Sequence, residues 1–225
     1  MIELKKVSKD FNDGSKDVTV LHPTTLQINE AEFSAIVGPS GSGKSTLLTI
    51  MGALQTPTTG TVLIGGQDIS HLSEKAISDL RFHTLGFVLQ ASNLVPYLTI
   101  KEQFELKAKQ AQLKNADARI EALLEKLTIK KVKDKYPENV SGGERQRAAI
   151  GLALLLKPKV ILADEPTASL DTEKAFDVVK LLQKIAKEEK TSIVMVTHDL
   201  RILSYCDRVY EMTDGTLAEI DKETL

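Results

Sequence analysis

The chain has 225 residues, 42% hydrophobic and 27% charged, enough for one globular domain with a real core and far from disordered composition. Its 29 basic and 31 acidic residues form no long block of one sign, which excludes the footprint of a nucleic-acid binder; no nucleic-acid partner is expected. One cysteine, Cys206, excludes an internal disulfide and fits a reducing compartment as a small packed side chain.

Residues 1–7 alternate apolar and charged like a strand and lack the basic region and apolar core of an export signal. Thr24 to Ile28 and Glu32 to Val37 read as further strands, followed by a helix from Lys44 to Leu54 opened by a glycine-rich turn. Thr61 to Ile64, leading into Gly65-Gly66, and Leu85 to Leu89 add strands, so this half mixes antiparallel and parallel pieces. From Gln90 to about Val140 the texture becomes charged and helical, with Ile120, Leu123, Leu124 and Leu127 on one stripe; it reads as a helical lobe inserted in the core. A helix from about Glu144 to Leu156, the buried run Val160 to Ala163, a helix from about Thr172 to Glu189 and the run Ser192 to Val196 follow. Strands alternating with helices imply right-handed crossovers and a parallel sheet. The longest apolar stretches, Ala148 to Leu156 and Val160 to Ala163, fall short of the roughly 20 residues of a membrane span. Direct membrane insertion is therefore not expected, and membrane association would come through a partner.

The chemistry begins at Gly38, Pro39, Ser40, Gly41, Ser42, Gly43, Lys44, Ser45 and Thr46, which fit G-x-x-x-x-G-K-[ST] between a predicted strand and a predicted helix. Phosphate carries dense negative charge, so its site needs backbone N–H groups turned inward, and glycines let the chain curl that way. Lys44 is expected to reach the β and γ phosphates, and Ser45 to place its hydroxyl on Mg²⁺. Next, the apolar run Val160 to Ala163 delivers Asp164 and Glu165 at a strand's C-terminal end, where ligands bind in open α/β sheets. Asp164 would serve Mg²⁺ through its water shell and Glu165 would act as general base on the attacking water. The third motif, Val140 to Arg147, sets Ser141, Gly142 and Gly143 just before a helix, a second anion cradle. It is equally a capping box, with Ser141 as cap and Glu144 three positions on, and both readings can hold together.

Val140-Ser141-Gly142-Gly143-Glu144 resembles the signature of the ABC ATPases, and the rest of that family's set follows in order over essentially the whole chain. Phe11 resembles the aromatic that stacks on adenine, Gln90 the glutamine joining Mg²⁺ to the helical lobe, and Ser169, Leu170 and Asp171 the loop at the dimer interface. His198 in Val196-Thr-His-Asp199 resembles the histidine that contacts the γ-phosphate. The resemblance implies a P-loop NTPase (RecA-like) α/β core with an antiparallel β subdomain and an inserted α-helical subdomain. Residues 1–90 and about 155–225 would form the core, and about 91–154 the lobe carrying the signature, in one domain. It further implies ATP and Mg²⁺ as cofactors, catalytic roles for Glu165, His198, Lys44 and Gln90, and a metal set of Ser45, Gln90 and Asp164. Two copies would pack head to tail as a homodimer, ATP on one phosphate loop being closed over by Ser141 and Gly143 of the other.

The same resemblance places the chain at the cytoplasmic face of a membrane, bound to an integral membrane permease. Residues 91–99 combine turn formers with Leu94, Val95, Tyr97 and Leu98, a composition suited to a partly exposed groove for a partner helix. Phe87 to Gln90 and Ala163 to Asp171 resemble the branch serving macrolide export, lipoprotein release and cell-division complexes, whose permeases are four-span proteins. Leu94 to Leu98 resembles, within that branch, the ATPases of haem-efflux pumps. An exporter or mechanotransmission complex is therefore expected, the alternative being a nucleotide-dependent switch for a signalling or cell-division complex without transport. Two departures stand out: Val140 replaces leucine, and Ile150-Gly-Leu-Ala-Leu154 replaces Ile-Ala-Arg-Ala-Leu, so Leu152 takes the arginine's place. Gly151 enters a helix interior at a cost of about 1 kcal/mol relative to alanine.

Overall fold

The computed structural model describes residues 1–12, 14 and 16–221. A four-stranded antiparallel sheet is built from β1 (Ile2–Asn12), β2 (Asp17–Ile28), β4 (Thr59–Ile64) and β5 (Gln67–Asp68), in the order β2-β1-β4-β5. The second sheet contains β3 (Phe33–Val37), β6 (Leu85–Val88), β7 (Val160–Asp164), β8 (Ser192–Val196), β9 (Arg208–Thr213) and β10 (Thr216–Ile220). Its order is β10-β9-β3-β8-β7-β6, with only the β9–β10 pair antiparallel. The helices are α1 (Lys44–Met51), α2 (Glu74–Thr84), α3 (Ile100–Gln110), α4 (Ala116–Lys126), α5 (Gly142–Leu154) and α6 (Thr172–Glu188).

Every residue of β3 and β8 is buried, as a parallel sheet covered on both faces requires. Alternate side chains then serve two separate cores. Phe33, Ala35, Ile161, Ala163, Ile193 and Met195 face α6 and the helices α3 to α5, with the stripe Ile120, Leu123, Leu124 and Leu127 fully enclosed among them. Ile36, Val160, Leu162, Val194 and Val196 face α1 and the antiparallel sheet. The topology also settles where the motifs meet. Four neighbouring strands, in the order β3-β8-β7-β6, all run the same way, so the loops that follow them emerge side by side at one edge.

The expected elements are present with shifted ends. Helix α1 stops at Met51, where Gly52 closes it, and α5 starts at Gly142 rather than Glu144 because Ser141 caps it. Periodicity passes over α2, whose apolar face is short: Ile77 and Leu80 pack half-buried against the core and none of its residues is fully buried. It also passes over the β9–β10 hairpin, whose turn is Asp214-Gly215 with φ of 45° and 75°, a dipeptide suited to a tight turn with both residues left-handed.

Gly151 has a packing reason. A Cβ on it would lie 2.6 Å from both Phe104 Cζ and Leu127 Cδ1, so the bare backbone of α5 admits the buried ring from α3. Gly151→Ala should therefore lower stability by about 1–3 kcal/mol from overpacking, despite its better helix propensity. A urea melt checks this: a gain in stability would show that the notch is not tight, and Phe104→Leu should rescue most of a loss. Leu152, in the usual arginine's place, leaves its carbonyl to Lys107 Nζ at 2.6 Å, and Arg119 Nη2 reaches Leu154 O at 3.1 Å. Two cations from other helices thus serve the C-terminal carbonyls of α5. Burial pushes the Lys107 amine below the ordinary lysine range.

Candidate nucleotide site at the carboxyl edge of the parallel sheet

The loop between β3 and α1 turns with positive φ at Gly38 (144°), Gly41 (79°) and Gly43 (104°). Gly38 is also a close approach: a Cβ there would stand 2.1 Å from Met212 O on β9. Helices α2, α3, α5 and α6 are each closed by a side chain, from Ser73, Thr99, Ser141 and Asp171. Helix α1 has no side-chain cap and no acid in its first turn, so its first N–H groups are left to an external acceptor. Lys44 is buried and curls back, its Nζ donating to Gly38 O at 2.8 Å and Pro39 O at 2.7 Å. Those carbonyls hold the ammonium in the mouth of the loop. The Ser42 hydroxyl is buried inside it without a partner.

Gly38, Lys44 and Ser45 share a cleft of about 540 Å³ with Gln90, Glu165 and His198. Ser40, Gly41, Gly43, Thr46 and Asp164 line it too. The carboxylates sit at the end of β7, where Asp164 pairs with Val196 of β8. Partial burial raises the Asp164 carboxyl above the ordinary range, the neighbouring Glu165 charge adds to this, and Lys44 opposes it. Glu165 has φ of 47°, strained for a non-glycine residue, and is pinned by its N–H to Val196 O at 3.0 Å. Its Oε2 is buried and lies 2.9 Å from His198 Nδ1. A carboxylate pair that shares one cleft with an uncapped helix N-terminus and a held ammonium fits a triphosphate and its attacking water.

The remaining predicted residues lie elsewhere. Ser141 is outside this cleft: its hydroxyl accepts from Glu144 N–H at 3.3 Å and donates to Glu144 Oε2 at 2.8 Å, while Ser141 N–H donates to the same oxygen at 2.9 Å. That capping box holds Glu144 below the usual carboxylate range, chiefly through the Ser141 N–H. Gly142 lines a second recess of about 440 Å³ with Gln90, Ser92, Arg145, Gln146 and Ser169. Gln90 thus borders both. Gly142 and Gly143 nestle against Leu170 and Lys174, and Asp171 caps α6 by accepting from Lys174 N–H at 3.0 Å. Pro39 is in the loop without lining the cleft. Phe11 is 39% exposed near the end of β1, opposite Val18 on β2, and does not line the cleft. Val20, which sequence reasoning passes over, does: its carbonyl abuts Gly43, an encounter of remote strands that no local pattern announces.

Known proteins agree with this geometry. The ABC transporter family matches residues 21–168. A protein of Staphylococcus haemolyticus named putative hemin import ATP-binding protein HrtA is 42% identical over 96% of this chain and 98% of its own, and that of Staphylococcus aureus strain N315 is 40% identical over the same shares. Among solved structures, the dimeric post-hydrolysis state of the ATP-binding cassette MJ0796 bound to ADP and Pi superposes with a TM-score of 0.89 at 34% identity, covering 99% of each chain. CbiO1 from Clostridium perfringens, part of the transporter complex cbiONQ, gives 0.90 at 29% identity, covering 99% of this chain and 89% of its own.

A parallel sheet that gathers a glycine-rich loop and an acidic strand end at one edge, with an antiparallel sheet beside it, defines a P-loop ATPase cassette. The chain belongs to the ABC transporter family: it is an ATP-binding, ATP-hydrolysing subunit that works with a membrane permease. Among the described residues no helix is long and apolar enough to cross a membrane.

Proposed function

We propose that Mg-ATP lies in the 540 Å³ cleft with its phosphates on the Gly38–Thr46 loop, and that two copies close over two nucleotides as a homodimer. The observation that carries this reading is the single cleft that brings the uncapped N-terminus of α1 and the held Lys44 ammonium together with Asp164 and Glu165. Lys44 and the loop N–H groups bind the β and γ phosphates, and Glu165 draws the proton from the attacking water. His198 stands against Glu165 and contacts the γ-phosphate. Among the described residues no cluster of three His, Cys, Asp or Glu side chains is suited to holding a metal by itself. Ser45, Gln90 and Asp164 line the cleft and would hold Mg²⁺ together with the nucleotide's phosphates, Asp164 through water. Phe11, on the hairpin whose second strand carries Val20, supplies the stacking face for adenine.

Ser141 lies outside the cleft of its own chain, which supports its use in trans. On closure its hydroxyl turns from Glu144 Oε2 to the γ-phosphate held by the partner copy, with Gly142, Gly143 and the Ser169–Asp171 loop at the same interface. Residues 1–90 and about 155–225 act as the catalytic core and about 91–154 as the lobe that swings the signature. The permease is of the four-span type and holds the subunit at the cytoplasmic face of the membrane, docking on the loop where Tyr97 is 76% exposed and Leu94 half-buried against the core. The likeness to HrtA supports a haem-class porphyrin as cargo.

Co-expression with the permease tests the docking. Tyr97→Asp and Leu94→Asp should weaken co-purification about 30-fold or more, the size of an interface hot spot, with basal ATPase activity of the isolated subunit retained. Unchanged complex formation in both would sink the docking site. Haem flux across vesicles carrying the complex then reads cargo and direction together. The branch resemblance favours export whereas the Staphylococcus relatives are named for hemin import, and ATP-driven activity with no haem movement would refute the cargo.

A further inference from the structure

The loop ahead of α3 is held from beneath by one side chain. Gln103, 5% exposed and one turn into α3, accepts from Val95 N–H through Oε1 at 2.9 Å and donates from Nε2 to Leu98 O at 3.2 Å. Both ends of a buried amide are spent on the backbone of the loop, so an apolar replacement leaves a loop donor and a loop acceptor without partners.

The same helix is fastened to α5 at two separate places. At its start, Ile100 and Lys101 N–H donate to Lys135 O at 2.9 Å and Lys133 O at 2.8 Å, on the segment that runs into the 3₁₀ turn Pro137–Asn139 and Ser141. Arg145 closes that turn back onto α5 through Pro137 O at 3.2 Å and Val140 O at 2.8 Å. One residue after Gln103, the fully buried Phe104 ring sits in the notch of Gly151, at the far end of α5. With two fixed points, α3 cannot tilt without carrying the N-terminus of α5, and Ser141, with it. Close-packed contacts of this kind transmit displacement because they deform little.

We propose that Gln103 is a positioning residue that couples the 93–98 loop to the signature at Ser141 through α3, so that movement of the permease sets the angle of the signature helix. This rests on the docking of that loop argued above. In the whole ATPase–permease complex in nanodiscs, Gln103→Leu should cut permease-stimulated ATPase activity about fivefold or more. The isolated ATPase should keep its basal kcat and its KM for ATP within about twofold, and the permease should still co-purify. Gln103→Glu, which keeps the acceptor for Val95 N–H and loses the donor to Leu98 O, should fall between. Unchanged stimulation in Gln103→Leu, or a matching loss of basal kcat, overturns the inference. If instead Tyr97→Asp and Leu94→Asp leave both docking and stimulation intact, the docking site fails and the inference with it. Intact docking sensitivity beside intact stimulation in Gln103→Leu removes the inference alone.

Discussion

Glu165→Gln is expected to lower ATP turnover about 10²–10⁴-fold, the usual worth of a positioned general base, while Mg-ATP binding survives. The amide has nearly the carboxylate's shape, and the backbone N–H of residue 165 keeps its bond to Val196 O at 3.0 Å, but the amide cannot take a proton from water. Glu165 lines the cleft beside Lys44 and Ser45, with Oε2 2.9 Å from His198 Nδ1, a position from which a carboxylate can take a proton from water bound there. Since hydrolysis is what removes the γ-phosphate between the copies, the variant should accumulate as a dimer in ATP and return to monomer in ADP. Light scattering after size exclusion reads the assembly, and phosphate release reads the turnover. Ready turnover would move the base to another group, and an ATP-independent assembly state would remove the trans role of Ser141.

The second large effect is on folding. Gly38→Ala should destabilise the chain by about 3–5 kcal/mol, adding left-handed backbone strain of about 1–3 to overpacking of similar size. The added methyl would stand 2.1 Å from Met212 O, a carbonyl in the β9 ladder that cannot rotate away as a side-chain tip would. Gly41→Ala is the control: its φ is 79°, and a Cβ there meets nothing within 4 Å, so only the strain applies, about 1–2 kcal/mol. Urea melts of the two variants should differ by about 1–4 kcal/mol. Equal midpoints would mean that β9 gives way and that the loop is not held against it.

Much of the candidate site is legible in short stretches of sequence. The run 38–46 declares a phosphate loop because curling, N–H exposure and one ammonium are needed within nine consecutive residues. The Ser141–Glu144 box is legible for the same reason: its two backbone hydrogen bonds, at 2.9 and 3.3 Å, close within four residues. Val20, the unpartnered Ser42 hydroxyl and the burial of Gln103 are not legible that way, since each is set by groups that meet from distant parts of the chain. Phe11 is legible as an aromatic of the right family position, yet nothing in its neighbours along the chain says which way the hairpin tip faces.

The Gly151 departure makes the same division at one residue. Local propensity marks it as a defect in α5, and only the ring of Phe104 arriving from another helix turns it into a requirement. By itself, then, the sequence determined what has a local cause: the glycine-rich turn before α1, the acidic strand end, the capped helix α5 and the apolar stripe of α4, all governed by backbone chemistry and periodicity over a few turns. The tertiary structure alone decided the strand order β3-β8-β7-β6 that brings Lys44, His198, Glu165 and Gln90 to one edge, with Ser141 left out of the cleft they line. Strand order depends on which buried faces fit together across the whole core, and no window of sequence contains that information.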